Sequence, residues 1–127
     1  MKTVLHSFIL FLLVFSPVVH SLEIQEYKEK AHFADKESDK KYVLHFYAEW
    51  CSVCLAQKRA MQKFEVDPAF KDLKIYLVDF DWQRKLKAEF AVERQSTLIL
   101  FKGGREIGRS LAVTDPEKLK EFLKKNY

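Results

Sequence analysis

Apolar positions along the chain fall into short blocks that change period as they go. Ile24, Tyr27, Ala31 and Ala34 recur at helical spacing and predict an amphipathic first helix. Asp35–Lys41 reads as a charged connection. Tyr42–Ala48 is an apolar, aromatic run without clean alternation, which predicts a central strand covered on both faces. From Cys51 to Phe64 the composition favours helix, until Asp67–Pro68 interrupts it. Lys74–Phe80 predicts a second buried strand. Trp82–Phe90 predicts a helix, with Leu86 and Phe90 on one face and Trp82 in the core. Thr97–Phe101 predicts a third strand, Lys102–Arg105 a hairpin turn carrying Gly103 and Gly104, and Glu106–Ala112 an edge strand. The last helix is expected to start at Thr114–Glu117, with Thr114 and Glu117 at capping-box spacing and Pro116 in the first turn. Leu119, Phe122 and Leu123 supply its apolar face, and Lys118–Lys125 a solvated one. The predicted order, α-β-α-β-α-β-β-α, is an α/β fold: a small central mixed β-sheet with helices on both faces.

The first 21 residues break this pattern. Lys2 precedes an unbroken apolar run, Phe8–Phe15, and Pro17 and Val19–Ser21 follow it. A basic start, an apolar centre and small residues at the exit describe a secretory signal peptide, with cleavage expected after Ser21. A membrane anchor is disfavoured, because a spanning helix needs roughly 20 apolar residues. No Cys lies near the cut, which argues against a lipoprotein. The mature chain, 22–127, is then one domain with room for one core. The full chain has 22 Lys and Arg against 18 Asp and Glu. These charges are interspersed, so no nucleic-acid-binding stripe is expected.

Both cysteines of the chain, Cys51 and Cys54, lie in the mature part. A disulfide scaffold would need more pairs at longer spacing. Three residues apart, the two close too small a loop to stabilise much. They sit where a buried strand gives way to a helix. A helix N-terminus offers free N–H groups and a partial positive charge, so a thiolate forms more easily there. The i, i+3 spacing turns both sulfurs to one face. Cys51 can then attack a disulfide and Cys54, deeper in the helix, can resolve the mixed disulfide. A c-type haem site would need His where Leu55 stands. Zinc would need four ligands, and only His32 and His45 remain in the mature chain. An inert structural pair remains an alternative.

The segment Phe46–Tyr47–Ala48–Glu49–Trp50–Cys51–x–x–Cys54 resembles the active-site segment of the thioredoxin family. Thr97–Lys102 with Gly104, and Asp115–Leu123, resemble that family's later strand and closing helix. Phe64–Phe70 is similar to the stretch after the redox helix in the C-terminal domain of the periplasmic electron-transfer protein DsbD. The resemblance implies a thioredoxin fold, exchange with protein disulfides, and no bound organic cofactor or metal. It implies a candidate docking surface from Trp50 and the loop Gln95, Ser96 and Thr97; for Trp50, packing is an equal alternative. Two positions depart from the family pattern. Ser96 stands where the family has a proline, and His45 where it has a buried acid. His45 is therefore a candidate proton acceptor for Cys54, or else a core histidine. A trans Gln95–Ser96 peptide is expected, with a loop whose N–H and hydroxyl can donate to a thiolate and which leaves the sulfurs more open to soft metals. The chain is expected to be a monomeric, periplasmic or secreted reductant fed by a membrane-embedded electron donor. Two other classes stay open: a metal- or iron–sulfur-binding protein that uses the thiolates of two chains, and a redox-silent binding module.

Overall fold

A computed structural model of the protein describes Val14, Ser16, Pro17 and residues 22–125. Apart from those three residues, the expected signal peptide lies outside the described residues, as do the last two positions of the expected domain. Among the described residues no helix is long and apolar enough to cross a membrane.

Five strands form one mixed sheet: β1 (Leu22–Glu26), β2 (Lys41–Tyr47), β3 (Leu73–Asp79), β4 (Thr97–Lys102) and β5 (Arg105–Leu111). Their spatial order is β1-β3-β2-β4-β5. β1, β3 and β2 run parallel, and β4 and β5 continue the sheet antiparallel. The helices are α1 (Glu29–Lys36), α2 (Ser52–Gln62), α3 (Arg84–Glu89) and α4 (Pro116–Leu123).

Strand parity sorts the core into two layers. Val43, Ile75, Leu98 and Leu100 face one way and pack with Ala60 and Met61 of α2 and Leu119, Phe122 and Leu123 of α4. Tyr42, Leu44, Phe46, Tyr76, Val78, Ile99 and Phe101 face the other way and meet Leu86 of α3 and Ala31 of α1. Each large side chain so buried contributes about 1.5–3 kcal/mol. The same alternation turns His45, two residues beyond Val43, toward the α2 side. Both layers cover β2 and β3, which is why their sequences lack a polar face.

Several expectations are corrected. Among the described residues the first element is a strand, not a helix: Leu22 and Ile24 alternate with polar residues and pair with Leu73 and Ile75. The helix is shorter and begins at Glu29. Asp35 belongs to that helix and is buried, with Lys74 Nζ 3.1 Å from its carboxylate and the Tyr76 hydroxyl donating to it. Trp82 is 81 % exposed rather than core. The Asp79 carboxylate accepts from the N–H groups of Asp81 and Trp82, and this turn throws Trp82 outward before α3 starts. The cap of α4 is Asp115, whose carboxylate accepts from Lys118 N at 2.9 Å, and not Thr114. The β4–β5 hairpin matches its expectation. Gly103 and Gly104 both have positive φ, as a tight two-residue turn demands.

Candidate active site

Cys51 is the N-cap of α2, and its sulfur accepts from Cys54 N at 3.2 Å. β2 ends four residues earlier, so the strand delivers the thiol to the open end of the helix. Both cysteines are free. Cys51 keeps 6 % of its surface and Cys54 none, so only Cys51 can meet an incoming disulfide. Burial opposes ionisation of Cys51. Hydrogen bonds from the Cys54 thiol, the Ser96 hydroxyl and the N–H groups of Cys54 and Val53 outweigh it and hold the thiol below its usual range. Burial pushes the Cys54 thiol up, and its bond to Cys51 adds to the rise. The geometry thus separates a ready nucleophile from a protonated partner.

Ser96 lies over this pair. Its Oγ is 3.3 Å from Cys51 Sγ and 3.1 Å from Cys54 Sγ. The described residues contain no cis peptide bond, as expected at Gln95–Ser96. The residue itself adopts φ +66°, in the left-handed region that a side chain occupies at a cost of about 1–2 kcal/mol. Three backbone-directed bonds hold it there. Its N–H donates to Phe46 O at 2.9 Å, and its carbonyl accepts from Ala112 N at 3.0 Å and from Gln57 Nε2 at 3.1 Å. Of the two donors expected from this loop, then, the N–H is spent on β2 and the hydroxyl reaches the sulfurs.

His45 is fully buried and forms no hydrogen bond with either sulfur. Its Nε2 is 3.0 Å from Gln57 Oε1. The Gln57 amide nitrogen already donates to Ser96 O and Val113 O, so Oε1 accepts and His45 carries its proton on Nε2. Nδ1 is then a buried lone pair without a partner. Protonating it would bury a charge beside nothing that accepts it, and burial pulls the His45 pKa down to about 4. The imidazole is neutral near pH 7.

Trp50 is 65 % exposed, and its indole N–H donates to Asp81 at 2.8 Å. The indole therefore lies at the surface and not in the core, one residue before Cys51 in the chain. Gln95 is half-buried, and Thr97 is buried with its hydroxyl donating to Arg94 O at 2.7 Å. The expected docking loop therefore presents Gln95, with Thr97 turned to the backbone behind it. Among the described residues no three His, Cys, Asp or Glu side chains gather as metal ligands would. Sequence reasoning missed Gln57 and Asp81. A signal for Gln57 existed: Cys54, Gln57 and Met61 fall on one helical face, and a glutamine on an apolar face calls for buried partners.

A family model for thioredoxin matches residues 18–125. Thioredoxin from Chlamydia trachomatis serovar D is 28 % identical over 95 residues, covering 75 % of this chain and 91 % of that protein. Thioredoxin from Malassezia sympodialis is 32 % identical over 85 residues, covering 67 % of this chain and 80 % of the relative. Among solved structures, Trxlp from Edwardsiella tarda superposes with a TM-score of 0.76 at 36 % identity, over 82 % of this chain and 99 % of that one.

Proposed function

The chain belongs to the thioredoxin family and is a thiol–disulfide oxidoreductase, and on that premise we propose that it is an exported reductant of protein disulfides. The observation that carries the chemistry is the split between the two thiols. Cys51 is ionisable and reachable at the helix start, and Cys54 is buried and protonated three residues on. Cys51 attacks a target disulfide and holds one half of it as a mixed disulfide. Cys54 then displaces that half and closes the Cys51–Cys54 disulfide. Trp50 and Gln95 flank the nucleophile and are the surfaces against which a target segment lies.

Export rests on the N-terminal pattern of a basic residue, an apolar run and a small-residue exit. A reductant outside the cytoplasm must be re-reduced across a membrane, so its partner is a membrane-embedded electron donor. The proposed working unit is the monomer: a single chain supplies both thiols and the Ser96 hydroxyl that lies over them.

Two measurements test the proposal. Equilibration in dithiothreitol and glutathione buffers gives the potential of the Cys51–Cys54 couple. Known members of this chemistry span roughly −270 to −120 mV. A value toward the reducing end, together with catalysed insulin reduction, supports a reductant, and a value near the oxidising end overturns it. Mass spectrometry of the protein recovered from an expressing bacterium tests export. A mature chain starting at Leu22 in the periplasmic fraction is the expected result, and an intact N-terminus in the cytoplasm rejects it.

A further inference from the structure

We propose that the Ser96 hydroxyl serves both sulfurs in turn during exchange, and that Gln57, steadied by His45, is the positioning residue that holds it between them. The proposal deepens the thiol-exchange reading and rests on it. A hydroxyl has one proton to give and two lone pairs to accept with. Placed 3.3 Å from Cys51 Sγ and 3.1 Å from Cys54 Sγ, it donates to one sulfur while it accepts from the other. In the reduced protein the Ser96 proton points at the Cys51 thiolate, and the single Cys54 S–H proton is shared between Cys51 Sγ and Ser96 Oγ. Once Cys51 is tied in a mixed disulfide, its sulfur is neutral and a poor acceptor. The Ser96 proton then turns to Cys54, where it favours the thiolate that must attack next.

Resolution balances as follows. The Cys54 proton passes to solvent. A Cys54 sulfur lone pair forms the bond to Cys51 Sγ, and the bond from Cys51 Sγ to the target sulfur breaks with its electron pair leaving on the target. Solvent returns a proton to that target thiolate. The protein dithiol is oxidised to a disulfide, and the target disulfide is reduced to two thiols.

The placement of Ser96 is not free. It needs the left-handed backbone at φ +66°, and Ala112, whose N–H meets the Ser96 carbonyl, has φ +57°. Gln57 ties the two sides together. Its amide donates to Ser96 O and to Val113 O, both at 3.1 Å, and its carbonyl takes the His45 N–H. Gln57 is wholly buried, so no water replaces these bonds. His45 acts on the thiols through this chain of contacts. The titratable and charged groups around the sulfurs are His45 and Tyr47 on β2, Glu49 on the following loop and Lys58 on α2, while the β4 side meets them with Ser96 itself. None of the titratable or charged groups changes in the variants below.

The test uses the full chain with an aromatic disulfide, dithiobis-nitrobenzoate, as probe. Cys51 attack releases a first coloured thiolate, and Cys54 resolution a second, so stopped-flow absorbance separates the two steps. Ser96→Ala removes the hydroxyl. Ser96→Gly removes it too and also relieves the positive φ, so a strain effect would separate the two variants. The expected result is a second phase slowed about tenfold at neutral pH in both, with its pH midpoint moved about one unit alkaline. Gln57→Leu is expected to move the same midpoint in the same direction, by less. A second-phase midpoint unchanged in both Ser96 variants overturns the hydroxyl role. A shift in those variants with none in Gln57→Leu overturns the positioning role. A wild-type protein that releases no second thiolate overturns the thiol-exchange reading instead, and so is told apart from both.

Discussion

Lowering the pH should cost this protein stability through His45, among other groups, and the size of the His45 share follows from its burial. The imidazole is fully buried, bonded through Nε2 to Gln57, and left with an unpartnered Nδ1. Its pKa is pulled down to about 4, from about 6.5 in an unfolded chain. Because the folded value is the lower one, the unfolded chain takes up the proton first as pH falls. Stability is unaffected by this group above pH 6.5 and falls by about 1.4 kcal/mol per pH unit below it, until the folded state also titrates near pH 4. Between pH 7 and 4.5 the loss is about 2.5 kcal/mol, a large part of the 5–15 kcal/mol typical of a domain. The measurement is urea unfolding of wild type and His45→Phe at both pH values. The variant leaves Gln57 Oε1 without a donor, which costs about 1–3 kcal/mol at either pH. That cost cancels when each protein is compared with itself, and the contributions of the carboxylates and of His32 cancel when the two losses are subtracted. The expected outcome is that the stability lost on acidification is about 2.5 kcal/mol smaller in the variant. Equal losses in the two proteins, within about 0.5 kcal/mol, would refute the link between burial and proton exclusion at His45.

Other expected outcomes follow from the same geometry. Cys51→Ser should abolish insulin reduction, whereas Cys54→Ser should accumulate mixed disulfides that mass spectrometry detects; rapid alkylation of Cys54 with Cys51 spared would reverse the two roles. Iodoacetamide labelling of Cys51 should show a pH midpoint below that of a free thiol, because its sulfur accepts from Cys54 N and the Ser96 hydroxyl. Ser96→Pro should destabilise the fold by about 2–4 kcal/mol in thermal or urea unfolding, since proline cannot adopt φ +66° and would remove the N–H that Phe46 O accepts at 2.9 Å. Asp115→Ala should cost about 1 kcal/mol through loss of the α4 cap and leave the rate of thiol exchange unchanged.

Where the sequence was legible, a short stretch held all the information. The blocks that became β2, β3 and β4 are continuous apolar runs, and a strand buried on both faces can hardly be written otherwise. Cys51 and Cys54 announce a helix-start thiol pair by spacing and position alone, and Gly103–Gly104 announces its turn by the φ values only glycine takes freely. Where the reading fell short, a residue's state depended on partners far along the chain. Leu22–Glu26 holds only two apolar residues and becomes a strand because β3 offers it a parallel edge. Asp35 belongs to a buried helix face because Lys74 and Tyr76 come round to neutralise it. Ser96 was visible as a departure, yet its left-handed backbone and the aim of its hydroxyl come from Phe46 in β2, Gln57 in α2 and Ala112 in the bend after β5. Local pattern encodes burial and turn chemistry, because those depend on a few consecutive residues. The reach of a hydrogen bond across the sheet, and with it the environment of the two thiols, exists only once the chain has closed on itself.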